Sequence, residues 1–303
     1  MSPRTLAHLL LLSVVAVWGA TFALVKGALT DASPLLFNLL RMGLAAAVLV
    51  ILNRRQLRRL PRATWTAGLL AGLLLALGYQ FQTVGLARTS PAKSALITGL
   101  VVVFVPIFTL LPALRPRSAP RPRWTTALGA LLAFLGLVLL TTPPGTVLST
   151  LTANLNLGDL LTLVCALAFA GHLLALAHLA PKIPVAQLAT LQIAFAAAFM
   201  LLTLPLGGAP HLHLSSRLIL ALAVTSLFAT AAAFTIQSWA QQHIPPTNTA
   251  ILLTLEPVFA VLVSLLLGDR MSPRSVVGAT LILSGIATIE LLARPVPIPI
   301  DPA

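Results

Sequence analysis

The sequence predicts an all-α polytopic membrane protein whose ten transmembrane helices form two inverted five-helix repeats. Three observations predict this fold: an apolar composition, ten apolar segments separated by short loops, and a likeness between the two halves of the chain. Hydrophobic residues make up 58% of the 303 residues and charged residues 8%, whereas a soluble domain carries about 25% charged residues. The composition therefore excludes an ordinary soluble domain.

The apolar segments, divided by charges and by proline and glycine, place the helices along the chain. The predicted helices cover residues 6–29, 34–52, 65–87, 93–113, 124–142, 158–180, 185–206, 216–241, 247–267 and 275–293. Each comes near or exceeds the roughly 20 residues that cross a bilayer. A short leader with Arg4 precedes the first segment without a convincing small-residue cleavage site, so we interpret this segment as a retained signal-anchor helix.

Basic residues predict the orientation of the helices. Two short loops hold nine of the 19 lysine and arginine residues: Arg54, Arg55, Arg58, Arg59 and Arg62 in one, and Arg115, Arg117, Arg121 and Arg123 in the other. Arginine-rich loops are typical of the cytoplasmic side, so we expect a multi-pass protein of the cell inner (plasma) membrane with both termini cytoplasmic. The net charge of +13 does not indicate a nucleic-acid partner, because the aromatic residues lie in the apolar segments rather than among the arginines.

The longest loop predicts where the two repeats meet. Residues 143–157 carry no basic residue and fall at the midpoint of the chain. We interpret them as an extracytoplasmic linker between a first repeat at 1–142 and a second repeat at 158–303, which ends in a short cytoplasmic tail.

The two halves match in three places, in the same order. "YQFQTVGLARTSPAKSA" at 79–95 aligns without a gap with "FTIQSWAQQHIPPTNTA" at 234–250. "VPIF" at 105–108 matches "EPVF" at 256–259 after four extra residues, and the glycine patterns of helices 5 and 10 also match. Because each repeat has an odd number of helices, the second must be inverted, which is typical of secondary transporters.

Four segments carry a resemblance to a known family. They are "VWGATF" at 17–22, "LLRMGLAAAVL" at 39–49, "EPVFAVLVSLLLGDRMSP" at 256–273 and "GATLILSGI" at 278–286. With these, the whole chain resembles the drug/metabolite transporter superfamily, in particular its ten-helix branch of EamA-type exporters. The family usually has Gly-Glu-Arg after the ninth helix, where this chain has Gly268-Asp269-Arg270. The resemblance implies export, and it leaves amino acids, nucleotide sugars, drugs and other metabolites open as substrates.

Two charged residues lie deep in predicted helices. Glu256 is the only ionisable residue between Thr249 and Leu267, and Arg41 lies in the second helix. A charge at the centre of a bilayer costs about 2.5–3.5 kcal/mol on insertion scales. We therefore expect both to face a central cavity; the alternative is a structural ion pair or a hydrogen-bonded network.

Two prolines at matching positions predict hinges. Pro257 and Pro106 have no N–H to donate, so each leaves a carbonyl of the preceding turn without its helical partner. Freed carbonyls beside Glu256 would suit a binding site between the repeats. The alternative is an ordinary packing kink.

Other polar and aromatic residues are weaker candidates for the wall of this cavity. They are Trp18, Thr21, Asn38, Tyr79, Gln82, Thr98, His172, Phe234 and Gln237. The aromatic and amide pairs of helices 3 and 8 are three residues apart and so share one helical face. Hydrogen bonding between helices is the alternative for the polar residues among them, and for His172 a packing role is the more common one.

The sequence favours transport over catalysis. It has no phosphate-binding glycine loop, no metal-ligand spacing and no Ser/His/Asp set on plausible loops, so we expect no enzymatic activity, no cofactor and no metal. The leading hypothesis is a secondary transporter that exports small amphipathic metabolites, above all amino acids or analogues, by alternating access, with proton coupling through Glu256. Its partners would be a small-molecule substrate and the lipid bilayer, and its state a monomer or homodimer. The alternatives are a multidrug exporter and, from another class, an integral membrane enzyme or a lipid-handling scaffold.

Overall fold

The computed structural model describes residues 1–86, 88–89, 91–117, 119, 121–142, 155–266 and 272–292. These residues form helices and no β-strand, with a single bridge between Ala32 and Leu212. The helices of the first half are α1 Pro3–Ala28, α2 Pro34–Asn53, α3 Arg62–Leu86, α4 Pro91–Thr98, α5 Val101–Leu110 and α6 Trp124–Thr141. Those of the second half are α7 Leu157–Leu179, α8 Val185–Thr203, α9 Ser216–Ser226, α10 Ala233–Ala240, α11 Pro246–Leu253, α12 Glu256–Leu266 and α13 Pro273–Leu292.

These helices make up ten spans. α4 and α5 together form the fourth span, α9 and α10 the eighth, and α11 and α12 the ninth. Eight helical segments of the described residues are long and apolar enough to cross a membrane, and two shorter apolar helices complete the set. The predicted ten-helix membrane fold is thus confirmed. Most of the predicted linker, residues 143–154, lies outside the described residues.

Local capping sets several helix boundaries. The hydroxyl of Ser2 accepts the backbone N–H of Thr5, so α1 begins at Pro3, earlier than the predicted start at residue 6. Asn156 and Asp159 form a reciprocal capping box at the start of α7. Each cap satisfies backbone N–H groups that have no partner within the helix.

The fourth and ninth spans are broken, where the sequence predicts continuous helices. The breaks lie at residues 99–100 and 254–255. They occupy equivalent positions in the ungapped alignment that places Ala95 on Ala250. Both repeats therefore carry a discontinuous helix at the same place, as many secondary transporters do.

The two prolines differ in their relation to these breaks. Pro257 follows its break directly, and because it has no N–H, the carbonyl of Leu253 at the end of α11 loses its helical partner. Pro106 lies inside α5, well after the break of its own span. There the break coincides with Gly99, where a Cβ atom would overlap the side chain of Leu137. The interruption of the fourth span is thus located at Gly99, and a hinge at Pro106 stays a prediction.

The matching glycines of α6 and α13 pack against each other crosswise. A Cβ atom on Gly136 would lie 2.5 Å from the carbonyl oxygen of Gly278, and one on Gly285 would lie 2.5 Å from the carbonyl oxygen of Gly129. The early residue of one helix meets the late residue of the other, so the two helices run antiparallel. Because α6 and α13 are the fifth helices of their repeats, this contact shows that the repeats are inverted.

This contact leads to a stability prediction. Replacing Gly136 with alanine is expected to lower the free energy of unfolding by about 1–3 kcal/mol, because the methyl group would press on the backbone of α13. The matched control is Gly43→Ala in α2, where a Cβ atom meets nothing within 4 Å and loss of glycine favours the helix. Thermal unfolding of the purified protein in detergent measures both. Equal melting temperatures for the two variants would contradict the close packing.

Candidate functional site

A cavity of about 370 Å³ lies between the two repeats. It extends from the middle of the helices to the ends of α1 and α3 at Leu29 and Leu86. The arginine loop at 54–62 joins the opposite ends of α2 and α3. The cavity therefore reaches the face of the protein opposite the arginine loop.

The cavity brings together all eleven residues that the sequence predicts for its wall. They are Trp18, Thr21, Asn38, Arg41, Tyr79, Gln82, Thr98, His172, Phe234, Gln237 and Glu256, and Pro257 lines the cavity as well. Pro106 is not part of the lining. The lining residues come from eight of the ten spans, five in the first repeat and three in the second.

Arg41 is held in place by hydrogen bonds to a neighbouring helix. Its Nε donates to Thr230 Oγ1 at 2.6 Å, and its Nη2 donates to the carbonyl oxygen of Ala229 at 2.9 Å. Nη2 also lies 3.1 Å from Tyr79 Oη, and the guanidinium carbon lies 4.9 Å from the centre of the Tyr79 ring. These contacts fix the guanidinium at the cavity wall in a planar orientation that a lysine would not reproduce.

A π-helical turn at Leu227–Ala232 provides the acceptors for Arg41. A widened turn displaces backbone carbonyls from their usual partners, and such turns often occur at functional sites. The Ala229 carbonyl in this turn also accepts from Trp18 Nε1 at 2.8 Å. The turn thus binds side chains of both α1 and α2 next to the cavity.

Aromatic rings form much of the cavity wall. Tyr79 and Phe234, which the repeat alignment pairs, lie with ring centres 6.4 Å apart at 72°. Phe234 also packs against Trp18 at 5.7 Å and against the ring of His172 at 5.9 Å. Tilted and edge-to-face pairs of this kind are favourable, so the residues paired by duplication meet at the centre of the molecule.

Glu256 lies at the start of α12, directly after the break of the ninth span. The first turn of a helix has backbone N–H groups without partners and favours a negative charge. Among the described residues, no hydrogen bond or ion pair reaches the Glu256 carboxylate. Close packing of α1 supports this position, because a Cβ atom on Gly19 would lie 2.6 Å from the carbonyl oxygen of Glu256.

Arg41 and Glu256 line the same cavity without forming an ion pair. The guanidinium is hydrogen-bonded by α3 and the π-helical turn, whereas no hydrogen bond or ion pair reaches the carboxylate in the described part of the chain. Their arrangement provides one positive and one negative group on an otherwise apolar and aromatic surface.

Amide side chains tie the helices together on the side of the cavity that faces the arginine loop. Gln241 Nε2 donates to the carbonyl oxygen of Leu173 at 2.8 Å, and Gln237 Nε2 lies 3.5 Å from Gln241 Oε1. Gln237 is 2% exposed, yet its Oε1 has no hydrogen-bond partner. A buried amide oxygen without a donor is costly, and because this atom is buried it does not face the open space of the cavity.

The remaining predicted residues are arranged around the outer part of the cavity. Asn38 Nδ2 donates to Thr83 Oγ1 at 2.8 Å, which joins α2 to α3. Thr21 donates to the backbone carbonyl of Trp18, and Thr98 lies 3.9 Å from the sulfur of Cys165. Each of these residues lines the cavity and also forms a hydrogen bond between or within helices.

Comparison with known proteins identifies the family. The model of the EamA-like transporter family matches residues 5–142 and again residues 156–291. The chain belongs to the EamA-like transporter family. An uncharacterized transporter of Archaeoglobus fulgidus is 32% identical over 289 residues, which cover 95% of this chain and 87% of the relative. The uncharacterized transporter YyaM of Bacillus subtilis is 26% identical over 301 residues, covering 95% of this chain and 94% of the relative.

A solved crystal structure has the same fold as this EamA-like transporter. The two superimpose with a TM-score of 0.79 over 96% of this chain and 98% of the other, at 21% sequence identity. Membership of the family makes this chain a multi-pass membrane transporter, with a small-molecule substrate and the lipid bilayer as its partners.

Several residues that shape the site of this EamA-like transporter were not predicted from the sequence. Gln192 in α8 and Ser238 in α10 form hydrogen bonds that lead to His172. Gln192 is the more deeply placed of two amides in its apolar segment, the other being Gln187, so a polar residue inside an apolar segment was the available signal, as it was for Glu256. The π-helical turn has no comparable signal, because its residues "LFATAA" are compatible with an ordinary α-helix.

Proposed function

We propose that this EamA-like transporter exports small amphipathic metabolites, above all amino acids or their analogues, by alternating access around the central cavity. The observation that carries the proposal is the pair of unlike charges, Arg41 and Glu256, on an apolar and aromatic wall. A zwitterion has a carboxylate for the guanidinium and an ammonium group for the carboxylate. A nucleotide sugar would require several basic residues deep in the site, and Arg41 alone meets that description among the described residues of the lining.

The membrane orientation is part of this proposal. With the arginine loops and both termini in the cytoplasm of a cell with an inner (plasma) membrane, the cavity would open to the outside. The two repeats would be residues 1–142 and 158–303, joined by an extracytoplasmic linker at 143–157. Rocking one repeat against the other would then expose the same residues to the inside, where an exporter loads its substrate.

A multidrug exporter is the second candidate. The aromatic rings of Trp18, Tyr79 and Phe234 would accommodate flat apolar solutes, and Glu256 would accommodate a cationic one. Broad resistance on expression would favour this candidate, whereas selective competition among amino acids would favour the first.

Solute flux into liposomes that contain the purified protein tests the proposal. An amino-acid panel is measured with and without a pH gradient, and we expect saturable, selective flux of at least one member. Dependence on the gradient would support proton coupling, and independence would contradict it. Absence of flux for every member would contradict amino-acid transport.

A further inference from the structure

A chain of hydrogen bonds determines which nitrogen of His172 carries the proton. The hydroxyl of Ser238 donates to the carbonyl oxygen of Phe234 at 2.7 Å, so Ser238 Oγ accepts from Gln192 Nε2 at 2.9 Å. The remaining oxygen, Gln192 Oε1, lies 2.9 Å from His172 Nε2. An amide oxygen only accepts, and His172 Nε2 must therefore donate.

The other ring nitrogen of His172 is then an acceptor that faces the cavity. In the described part of the chain no hydrogen bond reaches Nδ1, and Nδ1 is not among the buried polar atoms without a partner. His172 is a lining residue, and its ring is fixed edge-on against Phe234. A neutral imidazole that donates from Nε2 accepts at Nδ1.

One more acceptor without a hydrogen-bond donor lines the same cavity. No hydrogen bond or ion pair reaches the Glu256 carboxylate among the described residues. Gln237 Oε1 also lacks a donor, but this atom is buried and does not face the open space of the cavity. His172 and Glu256 thus provide acceptors from two different helices.

We propose that His172 and Glu256 form a subsite of acceptors that recognises the N–H groups of a primary ammonium ion, and that Gln192 is its positioning residue. Gln192 is 0% exposed and does not line the cavity. It acts through His172, whose tautomer it selects. The subsite depends on the proposed function in one respect, namely that the amine belongs to a transported solute. It selects primary amines over quaternary ammonium ions, because the latter have equal charge and no N–H to donate.

Binding of two matched amines to the purified protein tests the subsite. The probes are phenethylammonium and N,N,N-trimethylphenethylammonium, and their effect on the melting temperature in detergent reports affinity. We expect the primary amine to bind at least about tenfold more tightly, which corresponds to about 1.4 kcal/mol. Equal affinities, or no binding of either amine, would overturn the proposal.

Two glutamine variants separate positioning from general stability. Gln192→Met removes the acceptor for His172 Nε2, and we expect the preference for the primary amine to fall to within about twofold. The control is Gln80→Met, since Gln80 Nε2 also binds α8, through Thr203 Oγ1 at 2.7 Å, but lies outside the cavity lining. A preference that survives in Gln192→Met, or disappears equally in both variants, would contradict the role of Gln192.

The tautomer itself has a spectroscopic signature that is read in the wild-type protein. Nitrogen-15 spectra of the wild-type protein with labelled histidine, assigned with His172→Gln, are expected to show the His172 proton on Nε2. A proton on Nδ1 would overturn the proposal. Selective amine binding without flux of any amino acid would retain the subsite and remove the proposed function, and flux without amine selectivity would do the reverse.

Discussion

Replacing Glu256 with glutamine is expected to reduce saturable solute flux about 10- to 100-fold at low solute concentration. A hydrogen bond to a charged group contributes about 1.5–3 kcal/mol, and every 1.4 kcal/mol changes binding tenfold. No hydrogen bond or ion pair reaches the carboxylate in the described part of the protein, so the change removes no such bond. The free energy of unfolding is therefore expected to stay within about 0.5 kcal/mol of the wild type.

Three comparisons make this result specific. Asp31→Asn is the matched control, because the Asp31 carboxylate accepts from Ser215 Oγ at 2.6 Å outside the cavity, and flux should be preserved. If Glu256 carries a proton, Glu256→Gln abolishes accumulation driven by a pH gradient but leaves passive exchange at saturating solute concentration; loss of both, or of neither, counts against proton coupling. A fall in stability that parallels the fall in flux would instead make Glu256 a structural residue.

Arg41→Met is expected to lower both the free energy of unfolding and the preference for substrates that carry a carboxylate. It removes the donors to Thr230 and Ala229 and the ring contact with Tyr79, and a buried polar group left without a partner costs about 1–3 kcal/mol. Selection for a carboxylate should also disappear. We expect the wild type to prefer phenylalanine to phenethylamine, its decarboxylated analogue, and the variant to lose this preference.

Arg41→Lys distinguishes charge from geometry. A lysine retains the positive charge but not the planar set of donors that reaches both acceptors of the π-helical turn. We expect it to recover part of the carboxylate preference and little of the stability. Competition assays in liposomes measure the first and thermal unfolding in detergent the second. Full recovery of stability by lysine would show that the hydrogen-bond geometry at Arg41 is unimportant.

A double variant tests whether the two charges act on one solute. If a zwitterion contacts both groups, the effects of Arg41→Met and Glu256→Gln on flux should not add, because either change alone removes one end of the same bound molecule. Additive effects would indicate that Arg41 and Glu256 contact different solutes or act at different steps.

Much of the cavity wall was predictable because polar residues in apolar segments are costly and must face a protected space. Glu256, Arg41 and His172 are examples, and all three line the cavity. The repeat alignment adds the pairing of Tyr79 with Phe234, since duplicated residues of inverted repeats meet near the axis between them. Gln192 was not predicted, because its role depends on hydrogen bonds to His172 and Ser238 in other helices.

The sequence by itself determined that this is a membrane protein of ten helices in two related halves, since hydropathy, charge placement and repetition are local properties that can be read along the chain. Tertiary structure alone decided that the fourth span breaks at Gly99, where α6 approaches too closely for a side chain. It also decided that a widened turn in the eighth span holds Arg41, and that Gln192 orients His172. These features depend on distances between atoms of helices far apart in sequence, which no pattern along one segment records.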